Sequence, residues 1–281
     1  MDTLRLLYET RDFGVAVAEM DELPGWRIGS TPALGLTWAE GHPTPGELAS
    51  AGEVASAAGR VRDAIDSRFG VVRDRGCSRL DSTVTQGFDS PELARAFLGG
   101  MAAVQLPRCE TTRRGHPVHS VSWSHARGAR KLARCYDKGL ERGGEAWELA
   151  RLEDQRRFGS GGRPAAEVVA DRDYARSRFE ARFGPIRKAV DGVKAASFPV
   201  IAQALADEAR YGFRDVLEAE RLAGSLVILS GGGGEAYSRP TFYRRRAELR
   251  EAGYVVVDES EAVEVNLGDV VEQALAEAVW R

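Results

Sequence analysis

Alternation with a period of two is the feature that most constrains this chain. Over residues 176–183, Ser177, Phe179, Ala181 and Phe183 fall on one side, and Arg176, Arg178, Glu180 and Arg182 on the other. Gly184-Pro185 then stops the pattern. Over 79–85, Arg79, Asp81, Thr83 and Thr85 alternate with Leu80, Ser82 and Val84. Over 130–138, Arg134, Tyr136 and Lys138 share a side, with Leu132 the apolar exception. Successive side chains of a strand point to opposite faces, so all three segments predict strands. Together they predict an antiparallel sheet with one packed face and one polar face.

Other segments fill in an α+β chain. Residues 4–8 read as a first strand, and 26–28 with 34–38 as a hairpin turning over 29–32. Leu48, Val54, Ala58, Val61 and Ile65 recur at helical spacing over 46–69. Ser90-Pro91-Glu92 opens a helix: serine caps, proline occupies the first turn, and the acid suits the positive end. Residues 118–124 and 130–137 pair around a turn at 125–128. Residues 145–158 read as a charged helix, and 158–164 as a loop. After about residue 198 the pattern is mostly helical, over 198–211, 213–229 and 238–253, with a glycine turn at 231–234. Short strands at 254–258 and 262–267 close the chain. Helix, turn, basic helix and hairpin in that order predict a winged helix-turn-helix over 196–281, after a sheet domain over 1–195. Leu226, Leu229, Leu249 and 255–257 are its expected core.

The formal net charge of −3 argues against a protein that coats DNA along its whole surface. The charge is uneven, however. Arg108, Arg113, Arg114, Arg127, Arg130, Lys131 and Arg134 stand against Glu110 alone, and Arg239, Arg244, Arg245, Arg246 and Arg250 enclose only Glu248. Clustered arginines suit phosphate contacts. Cys77, Cys109 and Cys135 lack metal-ligand spacing, and no apolar run is long enough to span a bilayer. A cytoplasmic protein without a membrane partner is expected.

If the three alternating strands share a sheet, Asp81, Tyr136 and Glu180 meet among Arg79, Arg134, Lys138, Arg178 and Arg182. Carboxylates are hard ligands that suit Mg²⁺ or Mn²⁺. Cations beside a tyrosine favour its phenolate, which can attack a phosphate and hold a DNA end covalently. His116 and His119 are three apart around Pro117, so a strand would turn them to opposite faces. Tyr174 and Tyr243 are lesser candidates for a nucleophile.

The opening Asp2-Thr-Leu-Arg-Leu, Arg79-Leu-Asp81, Arg134-Cys-Tyr136-Asp-Lys-Gly and Arg178-Phe-Glu180-Ala-Arg182 occur in that order. In this the chain resembles the rolling-circle replication initiators of filamentous phages and small plasmids, over residues 1–190. The resemblance implies metal-dependent nicking of one strand at an origin through a 5′-phosphotyrosine, followed by rejoining. Tyr136 would be the nucleophile, and Asp81 and Glu180 the ligands of Mg²⁺ or Mn²⁺. Arg134, Lys138, Arg178 and Arg182 would contact phosphate or neutralise the phenolate; Asp137 falls on the opposite face. Where relatives carry a second acid on the first acidic strand, this chain has Thr85. The implied partners are origin DNA, duplex and single-stranded, with a host DNA polymerase, helicase and single-strand-binding protein; a homodimer is also allowed. In the basic helix, Arg239, Thr241, Phe242 and Arg245 are candidates for base edges, and Arg244 and Arg246 for phosphate. A nickase of conjugative elements and a non-catalytic DNA-binding regulator are the alternatives.

Overall fold

The computed structural model describes residues 4–12, 16–42, 51–115, 117–124, 131–141, 148–158, 174–230, 239–257 and 262–277. Asp2, Thr3, His116, Ser238, the turn at 125–128, the loop beyond Phe158 and the glycine run 231–234 lie outside these residues. So do the side chains of Glu141, Tyr174 and Arg239.

The first half contains β1 (Leu4–Thr10), β2 (Ala18–Glu19), β3 (Trp26–Thr31), β4 (Leu36–Gly41), α1 (Ala51–Phe69), β5 (Val71–Gly87) and α2 (Pro91–Ala102). Then come β6 (Glu110–Arg114), β7 (Ser120–Ser124), β8 (Lys131–Asp137), the single turn α3 (Lys138–Glu141), β9 (Leu149–Arg157) and α4 (Tyr174–Val190). The last part holds β10 (Lys194–Ser197), α5 (Phe198–Arg210), α6 (Val216–Ser230), α7 (Arg239–Glu251), β11 (Tyr254–Val257), β12 (Glu264–Asn266) and α8 (Leu267–Glu277). The described residues therefore form an α+β fold, and none of their helices is long and apolar enough to cross a membrane.

Nine strands make one sheet in the order β2-β3-β4-β1-β5-β9-β8-β7-β6, all antiparallel. The long strand β5 joins its halves, pairing with β1 through its first part and with β9 through residues 79–87. Under one half, Val54, Ala57, Val61 and Ile65 of α1 pack on Leu4, Leu6, Tyr8, Ile28 and Leu80. Under the other, Phe97, Leu98 and Met101 of α2 and Phe179, Phe183 and Ile186 of α4 pack on Val121, Trp123, Ala133, Cys135 and Leu152. Each Val, Leu, Ile, Phe or Met among them contributes about 1.5–3 kcal/mol by leaving water. Ser90 caps α2 as expected, its side chain accepting from the Leu93 N–H at 3.4 Å.

Two expected elements are exchanged. Residues 176–183 are helical, in α4, and not a strand. Phe179 and Phe183 satisfy a period of two, but they also stand four apart, and Ile186 and Val190 continue the buried stripe at helical spacing. The two rings stack with centroids 4.4 Å apart. Conversely, part of the segment expected as a charged helix, 145–158, is the strand β9.

The carboxy-terminal part also differs from expectation. Strands β11 and β12 do not form a hairpin; β10 lies between them, parallel to β11 and antiparallel to β12. Helices α5, α6 and α7 enclose a small core of Ile201, Leu205, Leu222, Leu226, Leu249 and Tyr254. Gly253, at a φ of 91°, ends α7 as predicted. The main core continues past residue 195, because Val257, Val263, Val265, Leu267 and Val271 belong to the cluster built on α2 and α4. The approach is close: a Cβ on Gly100 of α2 would meet the Ala195 Cβ at 2.6 Å.

Candidate functional site

Register determines which polar side chains meet. Asp81 pairs with Gln155, Thr83 with Glu153 and Thr85 with Arg151 across β5 and β9. On the other flank of β9, Arg134 pairs with Glu153 and Tyr136 with Arg151. Residues two apart share a face, so Arg79, Asp81, Thr83, Arg134, Tyr136, Arg151, Glu153 and Gln155 form one polar surface. This surface lies opposite the helices yet is withdrawn from water: Asp81 is 1% exposed, Glu153 3% and Tyr136 7%.

The Tyr136 hydroxyl donates to Glu153 Oε2 at 3.0 Å. Arg134 Nη1 donates to Glu153 Oε1 at 3.2 Å, and its guanidinium lies 5.3 Å from the centroid of the Tyr136 ring. One carboxylate thus holds the phenol and the cation beside it. On β5, Arg79 grips both oxygens of Asp81, Nε to Oδ1 at 3.1 Å and Nη2 to Oδ2 at 2.5 Å. Gln155, with its amide oxygen turned to Arg79, accepts from Nη2 at 2.7 Å. Arg151 Nε donates to Thr85 Oγ1 at 3.1 Å, so the threonine at the position of an expected second acid anchors a guanidinium.

Burial pushes the Asp81 carboxyl up to about 7; the Arg79 hydrogen bonds pull against that rise, and the negative charge of Glu153 adds to it. Asp81 is therefore poised to change protonation near neutrality. The buried Thr83 Oγ1, opposite Glu153, meets no hydrogen-bond partner among the described residues. Asp81 and Glu153 are thus the two carboxylates of this face, with the Thr83 hydroxyl at the register position opposite Glu153. Among the described residues no group of three or more His, Cys, Asp and Glu comes together to hold a metal. Both Asp81 oxygens accept from Arg79, and the two Glu153 oxygens accept from Arg134 and Tyr136.

Several expected site residues stand elsewhere. Glu180 is on the exposed face of α4, where it pairs with Arg176 at 2.9 Å as an i,i+4 surface contact. It does not join Asp81 and Tyr136, because residues 176–183 form a helix on the apolar side of the sheet. Arg178 is exposed on the same helix. Arg182 reaches Asp154 on the apolar face at 3.3 Å, where Arg156 also meets it at 2.9 Å. Lys138 follows Tyr136 but begins α3. Asp137 faces the other way, as expected: its Oδ1 accepts from the Leu140 N–H at 3.1 Å, and burial raises its pKa. His119 accepts from the Asp137 N–H through its backbone oxygen.

Glu153 is the residue that sequence reasoning missed. The Arg-x-Glu pattern singled out at 178–180 also occurs at Arg151-Leu152-Glu153. Strand β9 was obscured because Asp154 and Arg156 place charge on its apolar side as well, breaking the alternation.

The basic helix α7 divides its candidates. Arg244 and Tyr243 are exposed. Arg245 is held by Glu248 at 2.8 Å and by Ser225 at 3.4 Å, a brace between α6 and α7. Phe242 and Arg246 line a cavity beside α2, and Thr241 is partly buried.

No family model, curated protein or solved structure matches this chain.

Proposed function

We propose that this chain nicks and rejoins one DNA strand through Tyr136, as an initiator of rolling-circle replication. The observation that carries the reading is the bond from the Tyr136 hydroxyl to Glu153, with Arg134 on the same carboxylate and Asp81 on the adjoining strand. Glu153 is placed to take the phenol proton as Tyr136 Oη attacks phosphorus. The bond from phosphorus to the 3′ oxygen then breaks, the 3′ oxygen takes a proton from water, and the 5′ phosphate stays on Tyr136. Attack by the 3′ hydroxyl reverses the steps and rejoins the strand. Arg134 offsets the charge that develops on the phenol oxygen and phosphate. Asp81 and Glu153 are the residues that would hold Mg²⁺ or Mn²⁺, which when bound polarises the scissile phosphate.

Arg5, Arg27, Arg79, Arg134 and Arg151 lie on the same face and supply phosphate contacts around the site. Arg244 and Tyr243 present the exposed part of α7 to duplex DNA, in the role of a recognition helix. Origin DNA and the host polymerase, helicase and single-strand-binding protein follow from this reading as partners. One observation favours a second reading, a non-catalytic DNA-binding regulator: Arg79 already satisfies both Asp81 oxygens, as a purely structural ion pair does. Incubation with supercoiled DNA carrying the sequence beside the chain's own gene separates the two. The nickase converts it to open circles only when Mg²⁺ or Mn²⁺ is added. A regulator retards the DNA on a gel and leaves it supercoiled.

A further inference from the structure

A cavity of about 1080 Å³ lies between the end of α2, β6 and the helix α7, remote in sequence from the tyrosine site. Its apolar wall includes Val193, Leu249 and Val257, with the rings of Phe198, Phe242 and Tyr243. Three arginines line the same space: Arg113 from β6, and Arg246 and Arg250 from α7. Glu251 is the one carboxylate among the described lining residues. Arg113 is fixed on the wall by its Nε, which donates to the Ala102 carbonyl at 2.6 Å. Arg246 and Arg250 stand four apart on one helix, where like charges repel. Surrounding protein, then Arg113 and Arg250, lower the pKa of Arg246, and no carboxylate is among the charges acting on it. Its side chain is nonetheless open to water, as a group inside a concave, solvent-filled site should be. Converging cations on an apolar, aromatic floor match a phosphate joined to a planar base.

We propose that this cavity binds a nucleotide, with Arg113, Arg246 and Arg250 on its phosphate and Phe242 and Phe198 against its base. The ligand is either a free nucleotide or one unit of a single strand led away from the sheet. The inference does not depend on strand cleavage, and its test involves none.

Calorimetric titration of the full chain, without divalent metal, with dATP, a short oligothymidylate and inorganic phosphate tests it. Saturable binding of dATP identifies a free-nucleotide site; binding of the oligonucleotide alone identifies a strand site. In either case Arg246→Gln and Arg113→Gln should each weaken binding about tenfold, a loss expected for one charge-assisted phosphate contact. Phe242→Leu should weaken the nucleotide or oligonucleotide and leave inorganic phosphate unchanged. Arg62→Gln, on the exposed side of α1 and outside the cavity lining, is the control for general electrostatics. Circular dichroism melting confirms that each variant is folded. The proposal is overturned if neither dATP nor the oligonucleotide binds, whether or not inorganic phosphate does. It is equally overturned if the folded double variant Arg113→Gln/Arg246→Gln binds like the wild type, or if Arg62→Gln weakens binding as much as Arg246→Gln.

Discussion

Replacing Asp81 with asparagine should stabilise the fold at alkaline pH, although it removes an ion pair. The Asp81 carboxyl rises from its ordinary 3.8 to about 7, because burial outweighs the Arg79 hydrogen bonds and Glu153 adds repulsion. Below about pH 3 the group is largely protonated in both folded and unfolded chains and contributes little pH dependence. Between about 4 and 7 the unfolded chain has released the proton while the native chain keeps it. The unfolded state then binds fewer protons, so stability falls as pH rises and levels off above 7. At about 1.4 kcal/mol per pH unit, the full penalty at pH 8 is up to roughly 4 kcal/mol. Asparagine keeps the shape and cannot ionise. Urea denaturation at pH 3, 6 and 8 should therefore show Asp81→Asn close to the wild type at pH 3 and increasingly more stable above it. Mn²⁺ at pH 8 should narrow the gap by stabilising only the wild type, because a cation on the ionised pair is linked to folding. A variant less stable than wild type at pH 8 would show that Arg79 more than offsets the burial of charge, and would refute the reasoning.

Further expectations follow from where the acids stand. Glu153→Gln should reduce metal-dependent relaxation of supercoiled DNA by about a hundredfold or more, the scale of a lost general base, whereas Glu180→Gln should leave it unchanged; equal losses in a gel assay would contradict the placement of both residues. Arg182→Ala leaves the buried Asp154 with Arg156 alone, so it should cost roughly 1.5–3 kcal/mol in urea melts, and a loss near zero would mean that α4 is not anchored there. Ser90→Ala removes the cap of α2 and should cost about 1 kcal/mol, read from the thermal midpoint.

Where one physical signal acted alone, the sequence was sufficient. Ser90-Pro91-Glu92 predicted the start of α2, and alternation over 79–85 placed Asp81 and Thr83 on the polar side of β5. Leu226 and Leu249 were legible as the core beneath α7. The errors arose where two signals coincided. Phe179 and Phe183 are spaced for either a strand or a helix, and the decisive residues, Ile186 and Val190, lie beyond Gly184-Pro185, which reads as a stop. Strand β9 carries an ion pair on its apolar face, so its charge obscured its period. Pairing by β10 was not legible because a four-residue strand of Lys, Ala, Ala and Ser has little strand character. It lies between β11 and β12, with Ala195 close against Gly100 of α2. The candidate site is thus half legible: alternation puts Tyr136, Arg134 and Asp81 on one face, whereas Glu153 stands on a strand whose charge hides its period.

The most direct test of the account is the identity of the residue joined to DNA. Protein incubated with Mn²⁺ and single-stranded DNA from beside its own gene is digested with trypsin and nuclease, and the nucleotide-bearing peptide is sequenced by mass spectrometry. The account predicts a 5′-linked nucleotide on Tyr136, absent from Tyr136→Phe and strongly reduced in Glu153→Gln. Cleavage with the adduct on Tyr174 or Tyr243, or an undiminished adduct in Tyr136→Phe, would contradict it.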